Sequence, residues 1–371
     1  MIQNYEKITE VLAASLGLSV EELVRSYDRA TSADMEALCE LMLVGFGVVE
    51  NLSLDIITWR YFNFSKNISD IFVLRYQGQL IGAIGAEPIR VKVGDKEYEG
   101  VRVADIVVHP DHGKRGIGAW MNLYLQDKFP IVMAMGSNEN SDIMLRRLFR
   151  PMNCRHHFKM LFSIKNYLSV RGCPLFLIEL LSPIATFLLA LVRKPHVILV
   201  PPKYELKISD SAECLIEFFK SPDYQPHSAN IVLRSIEYCR WRYDVNPKSC
   251  FKILHLHHQG RLIGYGVIRK SRTETLEDFQ LMDWDFLPEY RTETHLRILF
   301  SAVVNYAIEQ GAPSLYVMTS DQLSSDSLRK TGFSHRSLDD GFFLFASEDV
   351  APELFDEKNW FLSFCDTDEA L

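Results

Sequence analysis

The chain has seven cysteines, an odd number, and none falls in a Cys-x-x-Cys pair. That argues against a disulfide scaffold or a zinc site and fits a reducing compartment. Basic residues are not in excess: 40 Lys and Arg stand against 48 Asp and Glu, for a net charge of −8. Binding to nucleic acid through bulk charge is therefore not expected. The opening MIQNYEKITEVLAAS lacks a basic stretch followed by an apolar core, so no secretory signal is read and a cytoplasmic protein is expected. No Gly-Lys-Ser/Thr occurs at P-loop spacing and no Gly-x-Gly-x-x-Gly is present, which removes the two commonest nucleotide fingerprints. His156 and His157 lack partners at metal-ligand spacing. His255, His257 and His258 lie on one strand-like run, two of them on one side, so a metal or substrate contact stays open there.

What is present is a soluble-protein composition, 47% hydrophobic and 24% charged over 371 residues, long enough for two or three domains. One apolar run, PLFLIELLSPIATFLLALV from Pro174 to Val192, is long enough to span a bilayer. Glu179, Ser182, Thr186 and Arg193 recur along it at helical spacing and form a narrow polar stripe. A buried connector helix is the first expectation, and peripheral attachment to a membrane is the alternative. A spanning helix would put the two halves of the chain on opposite sides of a membrane, which their relationship opposes.

Those halves are copies. WRYFNFSKNISDIFVLRYQGQLIG (Trp59–Gly82) aligns without gaps on WRYDVNPKSCFKILHLHHQGRLIG (Trp241–Gly264). The Trp-Arg-Tyr, Gln-Gly and Leu-Ile-Gly groups match in register, which predicts a duplicated domain. In each copy Gln-Gly between apolar runs reads as a hairpin turn. Downstream, ADIVVHPDHGKR (Ala104–Arg115) parallels MDWDFLPEYRTE (Met282–Glu293), pairing Asp105 with Asp283 and Pro110 with Pro288. Each copy continues through helix, strand and helix, an α/β pattern with a mixed sheet.

The stretch VVHPDHGKRGIGAW (Val107–Trp120) ends a strand and begins a helix. Residues Lys114–Ala119 then sit at a helix N-terminus, where free N–H groups and the helix dipole favour an anion. Gly116 and Gly118 permit close backbone approach.

With this context the chain resembles the GNAT superfamily of N-acyltransferases, whose signature is a strand, Gln/Arg-x-x-Gly-x-Gly/Ala and a helix. The resemblance runs from about Tyr27 to the end as two tandem copies. It looks closest to two-copy acetyltransferases of bacterial polysaccharide and small-molecule pathways, which share the Trp-Arg-Tyr block and an ending like that from Trp360 to Asp368. It implies an α/β fold of two GNAT-like domains, each a mixed, mostly antiparallel sheet flanked by helices. The expected division is a helical extension at 1–26, a domain at 27–168 with the cradle, an apolar helical linker at 169–203 and a degenerate domain at 204–371. By the resemblance, Lys114, Arg115, Gly116, Ile117, Gly118 and Ala119 hold the pyrophosphate of acetyl-CoA, and the strand edge at Ile106, Val107 and Val108 pairs with its pantetheine arm.

Several positions depart from the family pattern. Gly113 stands where Gln or Arg is usual. Phe149 and Asn153 stand where the family prefers Tyr and Gly, so no tyrosine hydroxyl is available there to protonate the leaving thiolate. The second copy has Thr294 and Leu296 in place of Gly116 and Gly118 and is expected to bind no CoA in the usual way. Acyl transfer needs a group that takes a proton from the amine, and Asp105 and Glu87 are the candidates. Asp142 and Asp321 are expected to cap helices, and Trp59-Arg60-Tyr61 to pack its helix or line an acceptor pocket. The expected activity is N-acetyl transfer from acetyl-CoA to a small amine such as an amino sugar, with the second copy shaping the acceptor cleft. A non-catalytic acyl-CoA-binding scaffold and a Fem-like aminoacyl transferase are the alternatives.

Overall fold

The computed structural model describes residues 2–47, 53–62, 70–136, 139–165, 168, 173–247, 250–270, 278–337 and 341–367. Helices α1 (Ile2–Leu16) and α2 (Val20–Arg25) lead into β1 (Tyr27–Arg29). A capping box starts α2: Ser19 Oγ accepts from Glu22 N at 3.2 Å, and Glu22 Oε2 accepts from Ser19 N at 2.7 Å. α3 (Met35–Phe46) and α4 (Leu54–Phe62) follow, then β2 (Ile71–Tyr76), β3 (Gln79–Val93) and β4 (Lys96–Val108). The Gln-Gly pairs turn as expected. Gln77 and Gly78 have φ of +49° and +79°, and Gln259 and Gly260 +53° and +81°, the two left-handed residues of a tight hairpin turn.

α5 (Ile117–Lys128) returns the chain to β5 (Ile131–Met135), parallel to β4, and α6 (Glu139–Leu148) leads to β6 (Arg150–Met152) and β7 (His156–Leu161). After α7 (Leu175–Arg193) the second copy repeats the plan with β8 (Tyr204–Ser209), β9 (Asn230–Val232), β10 (Phe251–His258), β11 (Arg261–Lys270) and β12 (Phe279–Phe286). Then come α8 (Glu293–Glu309), β13 (Ser314–Thr319), α9 (Gln322–Lys330), β14 (Ser334–Arg336), β15 (Phe342–Ala346) and β16 (Trp360–Phe361).

The two copies trade strands. The first sheet runs β1-β2-β3-β4-β5-β15-β6 and the second β14-β7-β13-β12-β11-β10-β8. β15 of the second copy thus lies between β5 and β6 of the first, and β7 of the first lies between β13 and β14 of the second. All of Phe342–Phe345 is buried, as an interior strand requires. The sheets therefore cross the sequence boundary between 27–168 and 204–371: each sheet is completed by the other segment. β9 extends the exchange by pairing with the far end of β3.

The duplicated tryptophans meet each other. Trp59 and Trp241 stack with ring centroids 5.1 Å apart. Trp59 Nε1 donates to the Trp241 carbonyl at 2.8 Å, and Trp241 Nε1 to the Trp59 carbonyl at 3.1 Å. The two bonds are equivalent under exchange of the copies, so the local pseudo-twofold axis passes between the rings.

The N-terminal extension packs on its own copy. Trp120 of α5 donates Nε1 to Thr9 Oγ1 at 2.9 Å and stacks on Tyr5, while Leu12, Leu16 and Leu23 are buried over α5 and β1–β3. The expectation of a buried connector at 174–192 is corrected. Within α7 only Ile178 and Ser182 are buried, and most of its large apolar side chains face outward. Hydrophobicity and length are the same for a core helix and a surface helix, so the sequence did not separate them.

Candidate active site

The first sheet opens at β4. Ala83 of β3 faces Val107 and Gly85 faces Ala104, so Asp105 and Ile106 stand opposite Ile84 alone. Asp105 takes φ of +45°, a left-handed conformation costly for a non-glycine residue. This bulge bends the strand. β4 pairs with β5 only from Gly100–Ile131 to Val103–Ala134. Beyond that the strands diverge, and residues 105–108 have no β5 partner. Val107 turns inward against α3, where a Cβ on Gly45 would lie 2.2 Å from its Cγ2. Ile106 and Val108 turn toward Gly118, each 3.8 Å from where its Cβ would be.

At the mouth of this fork a 3-10 turn over Pro110–Arg115 hands the chain to α5 through Gly116, whose φ is +80°. No side chain caps α5. Its first intrahelical bond is Trp120 N to the Gly116 carbonyl, 3.0 Å, so the N–H groups of Ile117, Gly118 and Ala119 precede the helical ladder. A Cβ at Gly113 or Gly116 would meet nothing within 4 Å, and at Gly118 only ordinary contacts. Gly116 is thus required by its backbone angle and not by protein packing. Within the turn Lys114 is exposed. Arg115 instead donates Nη1 to the Ser15 carbonyl near the end of α1, and His112 packs against Tyr76 with Nδ1 buried and unpartnered. Lys114 is then the side chain best placed to offset Gly113.

The second copy has the same fork in a closed state. β12 pairs with β13 only through Leu281–Val317, but the chain's own C-terminal segment bridges the gap. Leu362 N donates to Ser320 Oγ at 2.8 Å, and Ser363 Oγ to Asp283 Oδ1 at 3.0 Å. Thr292 caps α8 by accepting from His295 N, Glu293 sits in its first turn, and Leu296 is fully buried. A capped, acidic helix start does not attract an anion.

A buried charge network lies behind the open fork. Glu87 on β3 accepts from Arg60 Nε and from Arg102, whose Nε is 2.8 Å away. Arg60 also donates Nη1 to Asp105 Oδ2 at 2.7 Å, and Tyr61 donates its hydroxyl to the same oxygen. Gly85 makes room for that tyrosine: a Cβ there would stand 2.5 Å from the Tyr61 hydroxyl. Burial alone would raise the Glu87 carboxyl, but Arg102 and Arg60 overcome it and hold the group at about 2. Such a carboxylate is a poor proton acceptor near neutrality. The expectation of Glu87 as a base is therefore corrected: it orients Arg60, and through it Asp105. Asp105 keeps Oδ1 outside this pairing and is the candidate that stands at the fork itself.

Sequence reasoning missed Asp70, which lies just before β2 and is 5% exposed. Its Oδ2 is buried with no hydrogen-bond partner, and burial, aided by Glu87 and opposed by Arg29, pushes it up to about 7. It shares a small cavity with Arg60, Glu87, Arg102, Tyr238 and Trp241. Next to this cavity, and sharing Pro88, Ile89 and Tyr238 with it, is a cleft of about 390 Å³ between the copies, walled also by Arg29, Arg90, Glu99 and Ser235. Because the folded chain favours the protonated form, the unfolded chain releases this proton first as pH rises. Asp70 therefore costs stability progressively from about pH 4 to 7, and fully above that. Asp70→Asn is expected to be more stable than the parent at pH 8 by on the order of 1–3 kcal/mol, with the difference shrinking toward pH 4. Urea unfolding at the two pH values measures it, and an equal difference at both would contradict the assignment.

Other expectations resolve as follows. Asp142 is not a cap; it lies inside α6 and pairs with Arg146 at 2.6 Å. Asp321 does cap α9, accepting from Ser324 N at 2.7 Å. Phe149 is buried. His255 Nδ1 and His257 Nε2 are 2.9 Å apart, but no group of three or more metal-ligating side chains occurs among the described residues. Trp59-Arg60-Tyr61 packs and positions: its tryptophan joins the copies, while its arginine and tyrosine hold Asp105.

The sequence pattern of the acetyltransferase (GNAT) domain matches residues 26–126, from the start of β1 into α5. The first copy thus carries the pattern of an acetyltransferase (GNAT) domain over these residues. Solved structures share the fold across both copies. A GCN5-related N-acetyltransferase from Anabaena variabilis is 11% identical with a TM-score of 0.58, covering 86% of this chain and 71% of that one. A probable N-acyltransferase from Enterococcus faecalis is 12% identical with a TM-score of 0.56, over 86% and 71%. The Saccharomyces cerevisiae N-myristoyltransferase, solved with myristoyl-CoA, is 11% identical with a TM-score of 0.56, over 90% and 88%. No curated protein matches the sequence.

Proposed function

We propose that the chain transfers an acyl group, acetyl in the first instance, from acyl-CoA to the nitrogen of a small amine such as an amino sugar, within the cytoplasm. One observation carries the reading. The uncapped, glycine-lined start of α5 lies beside an unpaired strand edge in the first copy, while the equivalent fork of the second copy is closed by its own chain. The N–H groups of Ile117, Gly118 and Ala119, with Lys114, bind the pyrophosphate. Residues 106–108 offer backbone groups to the pantetheine arm as a sheet edge does to an added strand. Asp105, held by Arg60 and Tyr61, takes the proton released as the amine attacks the thioester carbonyl; the C–S bond then breaks and CoA leaves as a thiolate that takes its proton from water. The cleft between the copies receives the acceptor, so the second copy contributes Ser235 and Tyr238 to its wall. The acyl-CoA part of this reading draws support from the yeast N-myristoyltransferase, which has the same fold and holds myristoyl-CoA.

Calorimetry of the intact chain with acetyl-CoA tests it. One site per chain is expected, and Gly116→Glu, which puts a side chain and a negative charge where the phosphates go, is expected to weaken binding about 100-fold or more, roughly 2.7 kcal/mol. Absence of binding to the parent would overturn the proposal. Binding with no thioester cleavage across a panel of amines would turn it into the scaffold reading.

A further inference from the structure

Helix α7 carries the largest surface feature that acyl transfer does not use. Its 19 residues extend about 28 Å at 1.5 Å per residue. Phe176, Leu180, Ile184, Phe187, Leu188 and Leu191 are each between 51% and 68% exposed. At ~100° per residue they share one arc of roughly 120° on the helix circumference, which Leu181 and Val192 widen further. The opposite side holds the contacts with the protein: Ile178 and Ser182 are buried, and the Arg193 guanidinium lies 5.3 Å from the Phe162 ring. Ser182 and Arg193 of the polar stripe thus face the protein, and the apolar arc faces away. Such an arc in a soluble monomer marks an interaction surface.

Charge identifies what covers it. In sequence, positions 165–203 carry Lys165, Arg171, Arg193, Lys194 and Lys203 against the single acid Glu179, in a chain whose net charge is −8. Basic residues on both sides of this exposed apolar helix thus bracket it in an otherwise acidic protein, as anionic lipid headgroups above acyl chains would require. The arrangement also rules on orientation. β7 before the helix and β8 after it belong to the same sheet, so the ends of α7 cannot lie on opposite faces of a bilayer.

We infer that α7 is an in-plane membrane-binding helix, seating its outward arc in the interface of an anionic bilayer and holding the acyltransferase at the membrane surface. The full chain tests this by co-sedimentation with vesicles of phosphatidylcholine alone and of phosphatidylcholine with phosphatidylglycerol. Sedimentation with the anionic vesicles, weaker with the neutral ones and weaker in high salt, is expected. Ile184→Asp with Leu188→Asp is expected to reduce anionic-vesicle binding at least about tenfold. Both side chains are exposed, so thermal unfolding and acetyl-CoA binding are expected to stay as in the parent. No sedimentation with either vesicle overturns the inference. Equal binding to both overturns the anionic-lipid assignment. A concentration-dependent dimer that the double substitution abolishes, with no vesicle binding, assigns the arc to a second copy of the chain instead.

Discussion

Glu87→Gln is expected to lower stability at pH 7 by about 3–5 kcal/mol, the usual cost of leaving buried charges without their partner. Arg60 and Arg102 are both buried and both close on this carboxylate; a neutral amide can accept from one of them but balances neither charge, and only Arg60 keeps another carboxylate, Asp105. The pH dependence separates this from a loss of packing. A carboxyl held at about 2 in the folded chain, against a usual 4.5, stabilises the fold above the unfolded value and ceases to do so as pH falls through the folded one. The gap between parent and variant should therefore be full at pH 7 and narrow steadily below about pH 4.5. Urea titrations at pH 7, 4 and 3 measure it, and a gap that does not change with pH would assign the loss to packing. In activity, the variant is expected to lose turnover more than acceptor affinity, because Arg60, without the Glu87 carboxylate on its Nε, holds Asp105 less firmly.

Trp241→Ala is expected to cost a similar 3–5 kcal/mol, the range for removing a buried tryptophan. The ring is 6% exposed, and its loss also leaves the Trp59 carbonyl without its indole donor. Unfolding should nevertheless remain a single transition at a lower denaturant midpoint. The two sheets are interlocked by β7 and β15, so the copies cannot come apart while either sheet is intact. Two resolved transitions in the variant would show that the tryptophan pair, and not the exchanged strands, couples the halves.

Much of this was legible in the sequence because it depends on local chemistry. The Gln-Gly hairpins require left-handed residues in a fixed place. The left-handed turn into α5 needs glycine at Gly116, and Thr294 and Leu296 marked a second copy without the same glycine turn. Long-range pairing was not legible. β7 and β15 read as ordinary apolar strands, and nothing within Phe342–Ala346 says that its neighbours are β5 and β6. The role of Glu87 was missed for the same reason, since its partners lie 27 and 15 residues away. Asp70 precedes a strand, where an exposed turn residue is the ordinary expectation, and only the packed structure buries it.

The exchange of β7 and β15 also bears on how the pair of copies persists. After duplication, either copy could lose its ligand loop without harm to the fold, and the second has Thr292, Glu293 and Leu296 where an anion would sit. Neither copy could afterwards be deleted, because each supplies an interior strand to the other's sheet. The second half is thus retained as a structural obligation, while its surfaces, including Tyr238 in the shared cleft, are free to diverge.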